Sequence, residues 1–118
     1  MEWKIVADPE FEEWLLLQES GVRIAIAAYV KLLKERGPQL KRPYADTLYD
    51  SDMDNLKELR VQHRGNPWRV LFAFDPKRQA ILLIGGCKKG DDRWYNNIIP
   101  EAKTRYKRHL EELEKDNG

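Results

Sequence analysis

A single cysteine in 118 residues leaves no internal disulfide to form, so packing and polar contacts alone must hold this chain together. Histidine is nearly as scarce. His63 and His109 stand apart from each other and from Cys87, without the ligand spacing of a metal site, and neither a metal nor a cofactor is expected. Cys87 reads as a small buried hydrophobe rather than a reactive thiol. Ser20 and Ser51 are the only serines, and neither lies in a nucleophile-elbow context. Gly85-Gly86 fits no phosphate-loop pattern and reads as close backbone approach at a strand end. No apolar run reaches membrane-spanning length, and Met1 leads straight into charged residues without a signal-peptide core. The expectation is a cytoplasmic protein that makes no use of a membrane.

With 42% hydrophobic and 35% charged residues, the composition is that of one globular domain over residues 1–118. The net charge is only +1, yet the charge is segregated. Residues 1–20 carry one base against six acids, 21–45 six bases against one acid, and 46–59 one base against five acids. Residues 60–94 then hold eight bases against three acids. Such blocks predict separate acidic and basic surfaces rather than a uniformly basic nucleic-acid binder.

Trp3-Lys4-Ile5-Val6 reads as a short first strand. Asp8-Pro9-Glu10 is a helix start, with an N-cap aspartate and a proline where no donor is needed. Phe11, Trp14 and Leu15 follow at helical spacing until Ser20-Gly21. Val22, Ile26, Tyr29 and Leu33 mark the inner face of a second helix that stops at Gly37-Pro38. The two form a helical hairpin with Arg23, Lys31 and Lys34 on its outside. Residues 37–55 show no sustained periodicity and read as a long loop, pinned by Leu40, Tyr44 and Leu48, with its loosest backbone near Ser51-Asp52. A last helix carries Ile99, Ala102, Tyr106, Leu110 and Leu113 on one face, with Pro100 in its first turn and a solvated outer face of Lys103, Lys107, Arg108 and glutamates.

Between them lies the stretch that organises the chain. Residues 56–62 alternate, with Leu59 and Val61 opposite Glu58, Arg60 and Gln62, the period of a half-buried strand. Arg64-Gly65-Asn66-Pro67 is a turn in which Gly and Asn tolerate positive φ. Residues 68–74 alternate again, and 80–87 are almost wholly apolar, as in a strand covered on both faces. The result is an antiparallel meander with one face on a core. Its polar residues are the informative ones: Arg69 inside an apolar strand, Glu58 and Arg60 beside it, Lys88 and Lys89 where the last strand ends. They suit cross-strand ion pairs on a solvated face or a cationic surface for a phosphate chain. Trp68 and Trp94 suit core packing better than base stacking.

The ordered set Leu-Lys-Glu-Leu-Arg at 56–60, Gly-x-x-x-Arg-Val-Leu-Phe-Ala-Phe-Asp at 65–75, Ala-Ile-Leu-Leu-Ile-Gly-Gly-x-Lys at 80–88, Arg-Trp-Tyr at 93–95 and Ile-Pro-x-Ala at 99–102 resembles the RelE/ParE toxin superfamily, and within it the HigB-like, phage-related branch. Gly37-Pro38 and the segment 42–48 extend the likeness over nearly the whole chain. The resemblance implies a RelE-like α+β fold: a short N-terminal strand plus a three-stranded meander, a helical hairpin and a C-terminal helix. It also implies a type II toxin that cuts messenger RNA on the ribosome and is stored with a helix-turn-helix, HigA-like antitoxin. A ParE-like inhibitor of DNA gyrase, or an inactive relative that only binds its antitoxin, is the alternative.

Metal-free RNA cleavage needs a base for the ribose 2′-hydroxyl, cations for the phosphorane and an acid for the leaving 5′-oxygen. By position the resemblance makes Arg69 the phosphate stabiliser, with Arg60 and Lys88 beside it. Glu58 and His63 compete as the base. Arg64, Lys89, Arg93 and Tyr95 are candidates for RNA contact, and Tyr95 also for help as acid. Some relatives carry a His or Tyr acid directly after the last strand, where Lys88-Lys89-Gly90 stands here, so the acid stays open.

Overall fold

In a computed structural model, which describes residues 2–50 and 52–117, the chain runs β1 (Lys4–Ala7), α1 (Pro9–Leu16), α2 (Ser20–Arg36), one 3-10 turn (Gly37–Gln39), β2 (Ala45–Thr47), β3 (Leu56–His63), β4 (Asn66–Phe74), β5 (Gln79–Cys87) and α3 (Trp94–Asn117). The Asp8 cap forms as expected. Its carboxylate accepts the Glu10 amide at 2.9 Å and the Phe11 amide at 3.4 Å, satisfying two donors that no helical carbonyl can reach. Gly37 ends α2 at φ 56°, and the Trp3 indole lies so close to it that a β-carbon there would stand 2.2 Å from the ring nitrogen.

The strands form one sheet in the order β1-β5-β4-β3-β2, with β1 parallel to β5 and every other pairing antiparallel. That is one strand more than the expected sheet. Residues 45–47 pair with Leu59, Glu58 and Lys57, although three residues are too few for any alternation to show in the sequence. The rest of the loop is anchored much as expected. Leu40 is buried, Tyr44 packs on the hairpin-side core and Leu48 on the other. Ser51, placed at the loosest point of the loop, lies outside the described residues.

The first hairpin is tighter than expected. Arg64 (φ 51°) and Gly65 (φ 77°) alone form the turn, a two-residue loop whose twist matches the strands. Asn66 and Pro67 already pair with His63 and Gln62.

Two apolar layers sandwich the sheet. On one face α1 and α2 pack Phe11, Val22, Ile26 and Leu33 against Leu59, Val61, Val70 and Phe72. On the other, α3 brings Trp94 and Ala102 onto Leu56, Leu71, Ile81, Leu83 and Ile84. The second face is therefore covered along most of its length and open only at one end. A bulge makes this possible. Leu71 pairs with Ile84 but Phe72 with Leu82, which leaves Leu83 without a partner on β4. Leu83 and Ile84 can then both face α3, and the Leu83 carbonyl is taken by the Arg105 guanidinium at 2.9 Å.

Helix α3 starts at Trp94, so Pro100 lies inside it rather than in its first turn. Nor is its outer face merely solvated. Lys103 bridges Asp50 and Asp52 at 3.0 Å each, and Arg108 grips Asp8 at 2.6 Å and Glu10 at 3.0 Å. His109, too, is not isolated: its Nε2 lies 2.6 Å from Asp75.

Asp75 is fully buried on its side chain, where it accepts from the Gln79 side chain at 2.8 Å and from the Lys77 and Gln79 amides. Burial pushes its pKa up, but the bonds from His109, Gln79 and Lys77 outweigh that and hold it below the usual carboxylate range. With the native pKa below the unfolded one, its contribution is whole above an ordinary value of about 3.9. It is lost as pH falls through the native value. Asp75→Asn is expected to lower the urea midpoint at neutral pH and to flatten the acid limb of the stability profile. Parallel acid limbs for parent and variant would show that Asp75 does not carry this dependence.

Candidate active site

At the uncovered end of the sheet, β3 and β4 set Arg60 directly opposite Arg69. Like charges facing each other across strands repel, and the sequence supplies one carboxylate to hold them. Glu58, two residues before Arg60, shares its face of β3. Its Oε2 accepts from Arg60 Nη1 at 2.7 Å, and its Oε1 lies 3.6 Å from Arg69 Nε. From α3 the Tyr95 hydroxyl donates to the same Oε1 at 2.6 Å.

Glu58 and Arg69 are nearly sealed, with side chains 3% and 5% exposed, while Arg60 keeps 24%. The charges are thus paired, as in the plainer reading of the sequence, but in a buried cluster rather than on a solvated face. Arg69 Nη1 donates to the Trp68 carbonyl at 3.0 Å, while its buried Nε has no hydrogen-bond partner among the described residues.

Tyr95 is the residue whose importance spacing understated. Burial first, then the Glu58 carboxylate, raise its pKa above the ordinary tyrosine range, so it stays a neutral hydroxyl donor at neutral pH. Its ring packs edge-on against Trp94, with centroids 5.1 Å apart, and Lys88 Nζ sits 5.5 Å from its centroid. Trp94 fits because Gly86, the register partner of Arg69, has no side chain. A β-carbon there would stand 3.1 Å from the indole nitrogen. Gly85 does the same on the other face for Trp14, at 2.7 Å. The glycine pair therefore admits rings rather than backbone. Cys87 beside them is half-buried.

The remaining candidates separate. His63 lies on the hairpin side of the sheet, its ring 3.1 Å from where a Gly21 β-carbon would be, and does not join Glu58. Arg64 stands exposed in the β3–β4 turn, and Lys89 and Arg93 stand exposed between β5 and α3. Trp68 packs near Trp14, with centroids 6.1 Å apart, away from the arginines.

Arg42 was not singled out by the sequence. Its Nε donates to Asp46 at 2.8 Å, and Asp46 is the β2 partner of Glu58. Arg42, Pro43, Arg60, Gln62 and Arg69 line an open cleft of about 460 Å³. Arg42 holds the Asp46 carboxyl below its ordinary range. Among the described residues no three His, Cys, Asp or Glu side chains converge as a metal cage requires.

Guanidiniums are donors of the kind that bind carboxylates and phosphates, and here two of them share one buried carboxylate at the floor of a cleft. The profile of the family described as Phage derived protein Gp49-like (DUF891) matches residues 13–107. The chain belongs to that family. HigB3 of Mycobacterium tuberculosis, a toxin by name, is 43% identical over 102 residues, which cover 86% of this chain and 88% of HigB3. HigB2 of the same organism is 42% identical over 91 residues, 75% of this chain but 45% of HigB2, so the chain matches less than half of that relative.

In fold the chain is similar to the free E. coli toxin RelE carrying two arginine-to-alanine changes. That likeness has a TM-score of 0.66 at 12% identity and covers 89% of this chain and 98% of RelE. An archaeal RelE-RelB complex from Pyrococcus horikoshii gives a TM-score of 0.56 at 13% identity, over 76% and 99%. The protein is thus a RelE/HigB-type toxin of a toxin–antitoxin system with a RelE-like fold.

In this toxin the Tyr95–Glu58 bond ties α3 to the meander. A hydrogen bond to a charged group contributes about 1.5–3 kcal/mol. Tyr95→Phe should therefore destabilise by roughly that amount, and a double-mutant cycle with Glu58→Gln should show coupling above about 0.5 kcal/mol. Additive single losses would sink the idea that the two act as one unit.

Proposed function

We propose that this toxin is an endoribonuclease that cuts messenger RNA on the ribosome without a metal and is kept silent by a helix-turn-helix antitoxin. The observation that carries the reading is the opposed pair Arg60 and Arg69, held by Glu58 beneath an open cleft. Packing alone gives no reason to face two arginines across a sheet.

In the reaction the 2′-oxygen bonds to phosphorus, the 5′-oxygen leaves, and the strand ends as a 2′,3′-cyclic phosphate and a 5′-hydroxyl. Arg60, the more exposed guanidinium, meets the phosphate, and Arg69 adds its charge from below. Glu58 is the base, reached through the Tyr95 hydroxyl because its own oxygens are buried. The 2′-hydroxyl proton passes to Tyr95 as the Tyr95 proton passes to Glu58. Lys88, beside the Tyr95 ring, supplies the proton to the 5′-oxygen. Losing one preorganised charged donor costs about 10²–10³ in rate. Arg60→Ala and Arg69→Ala are each expected to lose about that much cleavage on programmed ribosomes while remaining folded. Parent-like cleavage by the folded variants would remove the phosphate role. Intact mRNA ends with altered DNA supercoiling after induction would favour gyrase as the target.

The antitoxin docks on the hairpin, on the sheet face opposite the cleft. Leu16, Leu17 and Ile24 stand 70%, 84% and 70% exposed there, next to the exposed Arg23 and Lys31. An interface of ordinary size covers about 800 Å² per partner and need not reach Arg69. Charge reversal at Arg23 and Lys31 is expected to weaken antitoxin binding, measured by calorimetry, while Arg69→Ala binds nearly as the parent does. A tenfold loss from Arg69→Ala alone would place the antitoxin in the cleft instead.

A further inference from the structure

The segment before β2 is a turn stapled by backbone bonds, with the Tyr44 and Ala45 amides donating to the Lys41 carbonyl and the Arg60 amide to the Tyr44 carbonyl. This brings Arg42 to the mouth of the cleft that Arg60 and Arg69 floor. The three guanidiniums differ in what holds them. Arg69 is buried on Glu58. Arg60 is bonded to the same carboxylate with a quarter of its side chain open. Arg42 is 66% exposed, and among the described residues it pairs with Asp46, itself 36% exposed. An ion pair that open to water contributes little stability and gives way readily to a competing anion.

Asp46 in turn is fixed by accepting the Thr47 amide at 2.9 Å and by its register opposite Glu58, so the carboxylate stays in place when the guanidinium leaves it. Gln62 and Pro43 complete the wall between Arg42 and Arg60. They provide an amide and an apolar ring surface with no negative charge. An anion with a single charge centre would need only Arg60. A third arm at the rim suits a ligand with successive charges along a strand.

We propose that Arg42 is a third phosphate-binding arm of the cleft, held by Asp46 as a resident counter-ion that the backbone of a bound RNA strand displaces. The inference rests on the RNA-cleaving reading and adds to it a second phosphate next to the one that is cut, with Asp46 as a brake on binding. The two residues therefore act with opposite sign, which a merely structural role for the pair would not produce: breaking a structural pair from either side weakens the same property.

The test uses the full chain and a short 2′-O-methyl oligoribonucleotide, which binds but cannot be cut, followed by fluorescence anisotropy from low to high salt, with and without ribosomes. Arg42→Ala is expected to bind about tenfold more weakly. Its log–log salt slope should be smaller by about 0.7, the counterion release for one single-strand phosphate. Asp46→Asn is expected to bind more tightly than the parent. Lys115→Ala, at the far end of α3, removes the same unit of charge and should leave binding unchanged. Equal weakening by Arg42→Ala and Lys115→Ala would reduce the effect to general electrostatics and overturn the proposal. Weaker binding by Asp46→Asn would also overturn it. Normal binding by Arg42→Ala beside a loss in Arg60→Ala would remove the third arm and leave the RNA reading standing. A parent that binds no oligonucleotide under either condition would remove both.

Discussion

The buried Glu58 carboxylate is the constraint on which the candidate site of this toxin depends. Arg60 and Arg69 are register partners, and without an anion between them their repulsion would push the β3–β4 ladder apart at its open end. Taking a carboxylate out of water costs several kcal/mol, recovered only when its lone pairs are well used. Here Arg60 and Tyr95 each take one oxygen, and Arg69 stands by the second. The same acceptor thus places two cations and a hydroxyl on strands and a helix far apart in sequence. Rigid elements rather than loops carry all of them, so the geometry is set before any ligand arrives.

That arrangement requires α3 to come down onto the sheet at one particular place, and β5 provides it. The bulge at Leu83 changes the phase of the strand, so that Gly85 faces Trp14 and Gly86 faces Trp94. A β-carbon at Gly86 would stand 3.1 Å from the Trp94 indole nitrogen and press on the ring beside Tyr95. Farther along, Arg105 on the Leu83 carbonyl, Arg108 on Asp8 and His109 on Asp75 hold the rest of α3. The polar residues of α3 outside its apolar stripe are in this sense a second seam.

The acids of 46–59 are largely ion-paired, Asp46 with Arg42, Asp50 and Asp52 with Lys103, and Glu58 with the arginines, and of these only Glu58 is buried. What remains open is a cleft lined by arginines on one face and, on the other, a hairpin that exposes Leu16, Leu17 and Ile24 among acids and bases.

Local rules by themselves determined a good deal. The Asp8 cap, the stop at Gly37, the alternation of β3 and β4 and the apolar stripe of α3 each rest on contacts within a few residues, and each was legible. The order of motifs from residue 56 to 102 was enough for the RelE/HigB likeness. Strand β2, the bulge, the two-residue turn at Arg64-Gly65 and the start of α3 ahead of Pro100 were decided by tertiary structure. Pairing partners and ring packing there override weak or contrary local preference. The separation of His63 from Glu58 was legible in the alternation, which sets His63 with Leu59 and Val61 and Glu58 with Arg60. The rest of the candidate site was decided by tertiary structure, which brings Tyr95 from α3 onto Glu58. Arg42 enters only because β2 lies against β3, a contact that no spacing in the sequence encodes.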